Sequence, residues 1–167
     1  MKISIITVVK NGLPFLKSAV KSIKNQKKIS DIEHIIVCAP STDGTEKYLD
    51  TLSNVKIIFD KHSTTKFGSI NKGINVASGD IIGLLHADDV FYDEFTLYKI
   101  SQEFNYDNDV VYGNVLFCKK ENISIITREW VSSIYQKKKL FFGWMPAHTS
   151  LFIKKNILKN NLYDEIY

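Results

Sequence analysis

The stretch Leu84-Leu85-His86-Ala87-Asp88-Asp89 holds the residues of this chain best suited to chemistry. Two leucines typical of a core strand run directly into an imidazole and two carboxylates, groups that resist burial unless something compensates them. Carboxylates at a strand end can hold a hard divalent cation, and a cation held there can bridge the phosphates of a nucleotide. The competing reading is an aspartate pair that caps the next helix or sits in a solvated turn.

The elements that must position this cluster are legible as alternating strands and helices. "ISIITVV" (3–9) is a continuous β-branched run, suited to a strand buried on both faces. Asn11 and Gly12 break it, and Pro14 suits the first turn of a helix carrying Ala19, Val20 and Ile23. "EHIIVC" (33–38) is a second strand, and the hydroxyls and Asp43 of "STDGT" (41–45) can cap a helix with Tyr48, Leu49 and Leu52. "VKIIF" (55–59) is a third strand. A helix over 69–77 follows, with Ile70, Ile74 and Ala77 on one face and Gly79 as its terminator. "DIIGLL" (80–85) then delivers the cluster. This order predicts an α/β fold with a mostly parallel sheet and helices on both faces. In such sheets ligands bind outside the carboxyl ends of the strands, where His86–Asp89 fall. Beyond Asp89 the spacing predicts a helix over 95–104, strands over 109–117 and 123–130, and a Trp/Phe-rich loop.

Composition bounds the class. With 167 residues, 44% hydrophobic and 24% charged, the chain fits one domain able to bury a sizeable core. No apolar run approaches the roughly 20 residues that cross a bilayer, and Met1-Lys2 lead into "ISIITVV" without a signal-peptide pattern, which implies a cytoplasmic location. Cys38 and Cys118 lie far apart without metal-ligand spacing and read as reduced thiols. The 22 basic residues against 18 acidic give +4, without a nucleic-acid-binding module, so no nucleic-acid partner is expected. The run Lys137–Lys139, between Tyr135 and "LFFGW" (140–144), reads either as a peripheral contact with an anionic membrane, such as the inner face of the plasma membrane, or as a solvated loop.

"ISIITVVKNG", "IIVCAPSTDGT" and "NKGINVASGDIIGLLHADD" resemble, in order and spacing, the three leading motifs of family 2 glycosyltransferases, and "GWMPAHTSLFIKK" (143–155) continues the likeness. The resemblance implies a GT-A fold, a Rossmann-like three-layer sandwich. Residues 1–90 would form its nucleotide-sugar-binding half and 91–167 an incomplete acceptor-side half. It further implies an inverting transfer from a nucleotide-diphosphate sugar to a glycan or lipid-linked acceptor in bacterial cell-surface polysaccharide synthesis. A divalent metal, Mn2+ or Mg2+, would sit at an Asp-X-Asp-type motif, here His86-Ala87-Asp88 with Asp89 beside it. Imidazole can ligate manganese, whereas magnesium prefers oxygen, so the histidine does not by itself remove the metal site. His86 reads equally as a strand-end residue hydrogen-bonded to a ribose or a neighbouring loop.

On the same resemblance, Thr7, Val9 and Asn11 at the end of the first strand would touch the donor's base, and Asn71 and Lys72 its phosphates. Val9 fits the core as well, and Lys72 a solvated helix face. Ser41–Thr45 read as structural. Two departures stand out. Where relatives carry a base-gripping aspartate, this chain has Cys38-Ala39-Pro40, which leaves the nucleotide open. Relatives also carry a catalytic base shortly after a segment like "NLYDEIY" (161–167), so the chain reads as a shortened form. His148, Asp164 and Glu165 are the candidate bases that remain. The alternative is a GT-A-fold module that binds nucleotide without catalysis; a sugar nucleotidyltransferase would want a glycine-rich phosphate loop that "VVKNGLPFL" lacks.

Overall fold

The unbroken β-branched run Ile3–Val9 forms strand β1 at the middle of the sheet, where both faces of such a run are covered. The structure, a computed structural model, describes residues 1–62 and 65–166. In chain order the elements are β1, α1 (Leu13–Lys24), β2 (Ile32–Cys38), α2 (Thr45–Leu49), β3 (Lys56–Phe59), α3 (Lys66–Val76), β4 (Ile81–Leu84) and α4 (Thr96–Glu103). Then follow β5 (Val110–Val111), β6 (Val115–Lys119), β7 (Asn122–Trp130), α5 (Lys137–Leu140), β8 (Phe152–Lys154) and α6 (Lys155–Asn160). The main sheet has the order β3-β2-β1-β4-β8-β5. Its first four strands are parallel, and β8 runs antiparallel to both β4 and β5.

Alternation along β1 divides the core between two helical layers. Ile3 and Ile5 pack with Ile81 against Ala19 and Ile23 of α1 and Leu97 of α4. Ile6 faces the other way and packs with Ile35, Ile82 and Leu84 against Ile70 and Ile74 of α3 and Leu158 of α6. Val9, Ile36 and Cys38 extend the first layer beneath Leu16 and Leu49. Gly83 is required where β4 meets β8, because a Cβ there would stand 2.3 Å from the Phe152 ring.

Four expectations change in detail. Helix α3 begins at Lys66, three residues before the apolar periodicity starts, because Thr65 caps it by accepting from the Gly68 N–H at 3.1 Å. Gly79 does not end that helix in a left-handed turn; a Cβ there would lie 2.7 Å from the Ser4 nitrogen, so its role is close approach to β1. Helix α2 ends at Leu49, leaving Leu52 in the turn beyond it. The strand expected over 109–117 is two: β5 joins β8 in the main sheet, whereas β6 pairs with β7 in a separate two-stranded sheet. Asn114 Oδ1 accepts from the Ser132 N–H and the Ser132 hydroxyl donates to the Gly113 carbonyl, pinning the point where the chain passes from one sheet to the other.

One polar pair lies inside the first layer. His34 is 5% exposed, its Nε2 stands 3.1 Å from the Thr7 hydroxyl, and burial holds its pKa down at about 4. Above the ordinary histidine value of 6.5 the imidazole is neutral in both folded and unfolded chains; between 6.5 and about 4 only the unfolded chain takes up the proton, so stability falls as pH drops through that window. Urea denaturation should show the native chain losing about 2 kcal/mol more than His34→Gln between roughly pH 7 and pH 5. Equal losses in the two proteins would show that His34 titrates normally in the fold.

Candidate active site

The order β3-β2-β1-β4 places the strands that follow β1 first on one side of it and then on the other, so the loops leaving β1 and β4 diverge and open a crevice at their carboxyl ends. A cavity of about 290 Å³ occupies it, floored by Val8–Gly12 from β1 and His86–Asp88 from β4 and flanked by Phe15 and Lys66. The β1 loop is held by the turn after β2. Asn11, at φ 51°, donates its N–H to the Ser41 hydroxyl at 3.0 Å and accepts from the Thr42 N–H at 2.8 Å. Gly12 and Leu13 donate to Thr45 Oγ1 and Asp43 Oδ2. Those contacts, with the Thr45 hydroxyl first, hold the Asp43 carboxyl below its ordinary range. "STDGT" is thus the strap of the site, the structural part expected of it.

At the other wall, pairing of β4 with β1 ends where Leu85 donates to the Ile6 carbonyl, and the Asp89 N–H closes a turn onto the His86 carbonyl. His86, Asp88 and Asp89 offer ligand atoms that all lie within 4.8 Å of one another. The buried Nε2 of His86 has no hydrogen-bond partner among the described residues. Burial, with the charge of Lys66 and the neighbouring His148, pushes the His86 pKa down against the pull of Asp88, keeping the imidazole in the neutral form that ligates metals. The Asp89 carboxyl is pushed up to about 6, by burial first and by Asp88 second. Its Oδ2, 3.9 Å from His86 Nδ1, therefore faces a neutral ring rather than a cation.

The expected residues separate by position. Val9, Asn11, His86, Ala87 and Asp88 line the cavity, with Asp89 next to it in the cluster. Thr7 does not: its side chain is fully buried and turned to His34. Asn71 and Lys72 do not reach the cavity either. Asn71 Nδ2 donates to the Tyr163 carbonyl at 2.8 Å and to Glu165 at 2.9 Å, and its Oδ1 accepts from the Tyr163 N–H. Lys72 forms an ion pair with Asp60, a carboxylate 2% exposed that also accepts from Ser69. Of the candidate bases, Glu165 is held by Asn71, and Asp164 caps the local turn by accepting from the Ile166 N–H. His148 alone stands beside the cluster, with its ring 5.8 Å from that of His86 and its Nε2 3.2 Å from the Tyr163 hydroxyl. Burial and Lys66 keep its pKa low. Phe15 and Lys66 were not among the expected contacts. A capping Thr65 in front of Lys66 is the sequence signal that would have placed this lysine at the helix start.

At the ends of β2 and β3, Cys38, Pro40, Glu46, Phe59 and Lys61 line a second cavity of about 270 Å³. Burial raises the Cys38 thiol pKa, so it is no substitute for the missing carboxylate.

The model of the family described as "Glycosyl transferase family 2" matches residues 4–161. A Campylobacter jejuni protein named GalNAc(5)-diNAcBac-PP-undecaprenol beta-1,3-glucosyltransferase is 29% identical over 98% of this chain and 55% of its own length. Among solved structures, Staphylococcus aureus TarS 1–349 in complex with UDP superposes with a TM-score of 0.73 at 19% identity, over 99% of this chain and 51% of that one. The mannosyltransferase PcManGT from Pyrobaculum calidifontis in complex with GDP-Man and Mn2+ superposes at 0.68 and 17% identity, over 98% and 48%. The chain spans about half the length of the curated relatives it matches over most of its own length. Since the family model spans nearly all of the chain, from β1 past the end of α6, the chain belongs to glycosyltransferase family 2 and has the GT-A fold.

Proposed function

We propose that the crevice between β1 and β4 binds a nucleotide-diphosphate sugar together with a divalent cation, and that the sugar passes with inversion to a glycan or lipid-linked acceptor in the building of cell-surface polysaccharide. The observation that carries this reading is the grouping of His86, Asp88 and Asp89 within 4.8 Å at the mouth of the cavity, with a buried imidazole nitrogen that has no protein partner among the described residues. The donor set fits manganese better than magnesium because it includes an imidazole. A cation held there would neutralise charge developing on the leaving diphosphate. PcManGT with GDP-Man and Mn2+, and TarS with UDP-GlcNAc, support the donor class without fixing the base, and the undecaprenol-linked substrate in the Campylobacter name supports a lipid-linked acceptor.

The remaining roles belong to the chain's own groups. Val9 and the strapped Asn11 loop form a rigid floor for the nucleotide. Lys66 lines the same cavity and adds positive charge for the diphosphate, the task expected of Lys72. In transfer, the acceptor oxygen bonds to the anomeric carbon, the bond to the diphosphate breaks, and the hydroxyl proton passes to a base. His148, neutral and next to the cluster, is better placed for that proton than Asp164 or Glu165.

Calorimetry with UDP and GDP tests the assignment. At least one should bind about tenfold more tightly with manganese than without it, and Asp88→Ala should remove that difference, with Asp89→Asn the milder change. Metal-independent binding of both nucleotides to both proteins refutes the metal site, and binding that persists while no donor sugar is transferred points to the non-catalytic module. The two lysines give a second test. Lys66→Ala should weaken nucleotide-diphosphate binding about tenfold with little change in unfolding midpoint. Lys72→Ala should lower stability by about 1–3 kcal/mol, because the buried Asp60 loses its ammonium partner, and leave affinity within about twofold. The opposite pattern would return the phosphate role to Lys72.

A further inference from the structure

From Trp130 to Tyr163 the sequence has no aspartate or glutamate, while Lys137–Lys139 stand in a row and Lys154, Lys155 and Lys159 follow. Within this one-signed segment the chain folds into a defined turn. Phe142 N–H donates to the Lys139 carbonyl at 3.0 Å, Gly143 N–H to Leu140 at 3.1 Å and Trp144 N–H to Lys139 at 3.0 Å, with Gly143 at φ 80°. The Trp144 ring turns inward between Tyr112 and Tyr135, at centroid distances of 6.1 and 6.2 Å. Phe141 and Phe142 point the other way and are 82% and 89% exposed, as is Ile134 at 84%.

We infer that residues 131–145 are a docking surface for an anionic lipid bilayer, with Phe141 and Phe142 entering the headgroup boundary and Lys137–Lys139 lying against the headgroups. Two adjacent phenylalanines held outward by an anchored tryptophan have no use in water, and their flanking lysines select a negatively charged partner over an apolar one. A second copy of this chain would bring a like-charged surface, since a two-fold contact opposes the same patch on both subunits. No helix among the described residues is long and apolar enough to cross a membrane, so this contact is peripheral. Through Pro146 and Ala147 the turn leads directly to His148, so a docked surface would hold the cleft next to the lipid headgroups. The inference goes beyond the transfer reaction and stands whichever acceptor is used.

Vesicle flotation tests it. The chain should float with phosphatidylcholine vesicles containing about a third phosphatidylglycerol, and not with pure phosphatidylcholine, and high salt should release it. Replacing Lys137, Lys138 and Lys139 by glutamine should weaken the partition on the order of 100-fold, and F141S/F142S by about tenfold or more. Both variants change exposed side chains, and unchanged nucleotide-diphosphate binding confirms that they are folded. Failure to float with anionic vesicles, equal flotation with both vesicle types, or an unaffected F141S/F142S variant overturns the proposal. So does a dimer in sedimentation that F141S/F142S dissociates, since the surface is then self-complementary. None of these outcomes bears on the metal site, which calorimetry tests separately.

Discussion

The parallel pairing of β1 with β2 on one side and β4 on the other is the constraint from which the site follows. A strand in that position is covered on both faces and both edges, so Ile3 to Val9 is largely apolar, and its two hydroxyls, Ser4 and Thr7, are fully buried and hydrogen-bonded to Glu33 and His34. The same pairing sets the carboxyl ends of β1 and β4 side by side, and the loops that leave them diverge, which opens the crevice between them. Polar groups can stand there without breaking the ladder. His86, Asp88 and Asp89 are therefore tolerated for a topological reason, directly after residues that are almost wholly buried.

The histidine changes the charge arithmetic of the cluster. Three carboxylates within 4.8 Å would repel one another more than two do; Asp89 is already pushed up to about 6, by burial first and by Asp88 second. With a neutral imidazole in the third place the cluster carries two negative charges, enough to balance one divalent cation. An anionic ligand in the cavity would draw any further positive charge from Lys10 and Lys66, the lysines that line it.

Strand identities in the parallel half were legible because burial on both faces leaves an unmistakable apolar run, and the cluster at the end of β4 was legible because its residue types conflict with such a run. What escaped the sequence were choices made by long-range partners. Lys72 and Lys66 stand on one helix, and nothing local distinguishes a lysine paired with a buried carboxylate from one facing the cleft; Asp60, which decides it, belongs to the end of β3. Asn71 carries a motif that suggests ligand contact, yet its amide is satisfied by a backbone ninety-two residues away. The region 109–117 reads as one strand because Val110, Val111 and Val115–Phe117 share the same propensity, while the exchange of sheets at Gly113 depends on Ser132.

That long-range amide has a consequence for the acceptor side. Asn71 grips Tyr163 through both its N–H and its carbonyl, the Tyr163 ring stacks on Phe67 at 5.5 Å, and its hydroxyl meets His148, whose ring lies against His86. An unbroken chain of contacts thus runs from the first turns of α3 through Tyr163 and His148 to His86 of the cluster. Asn71 and Phe67 sit on a helix buried against β1, so His148 is positioned from the parallel half of the sheet. The aromatic turn just before His148 is anchored instead through Trp144, Tyr112 and Tyr135 and through Lys139, which donates to the Ser133 hydroxyl. A cleft built this way can keep the His148 imidazole fixed beside the cluster while the exposed turn next to it stays free to adapt.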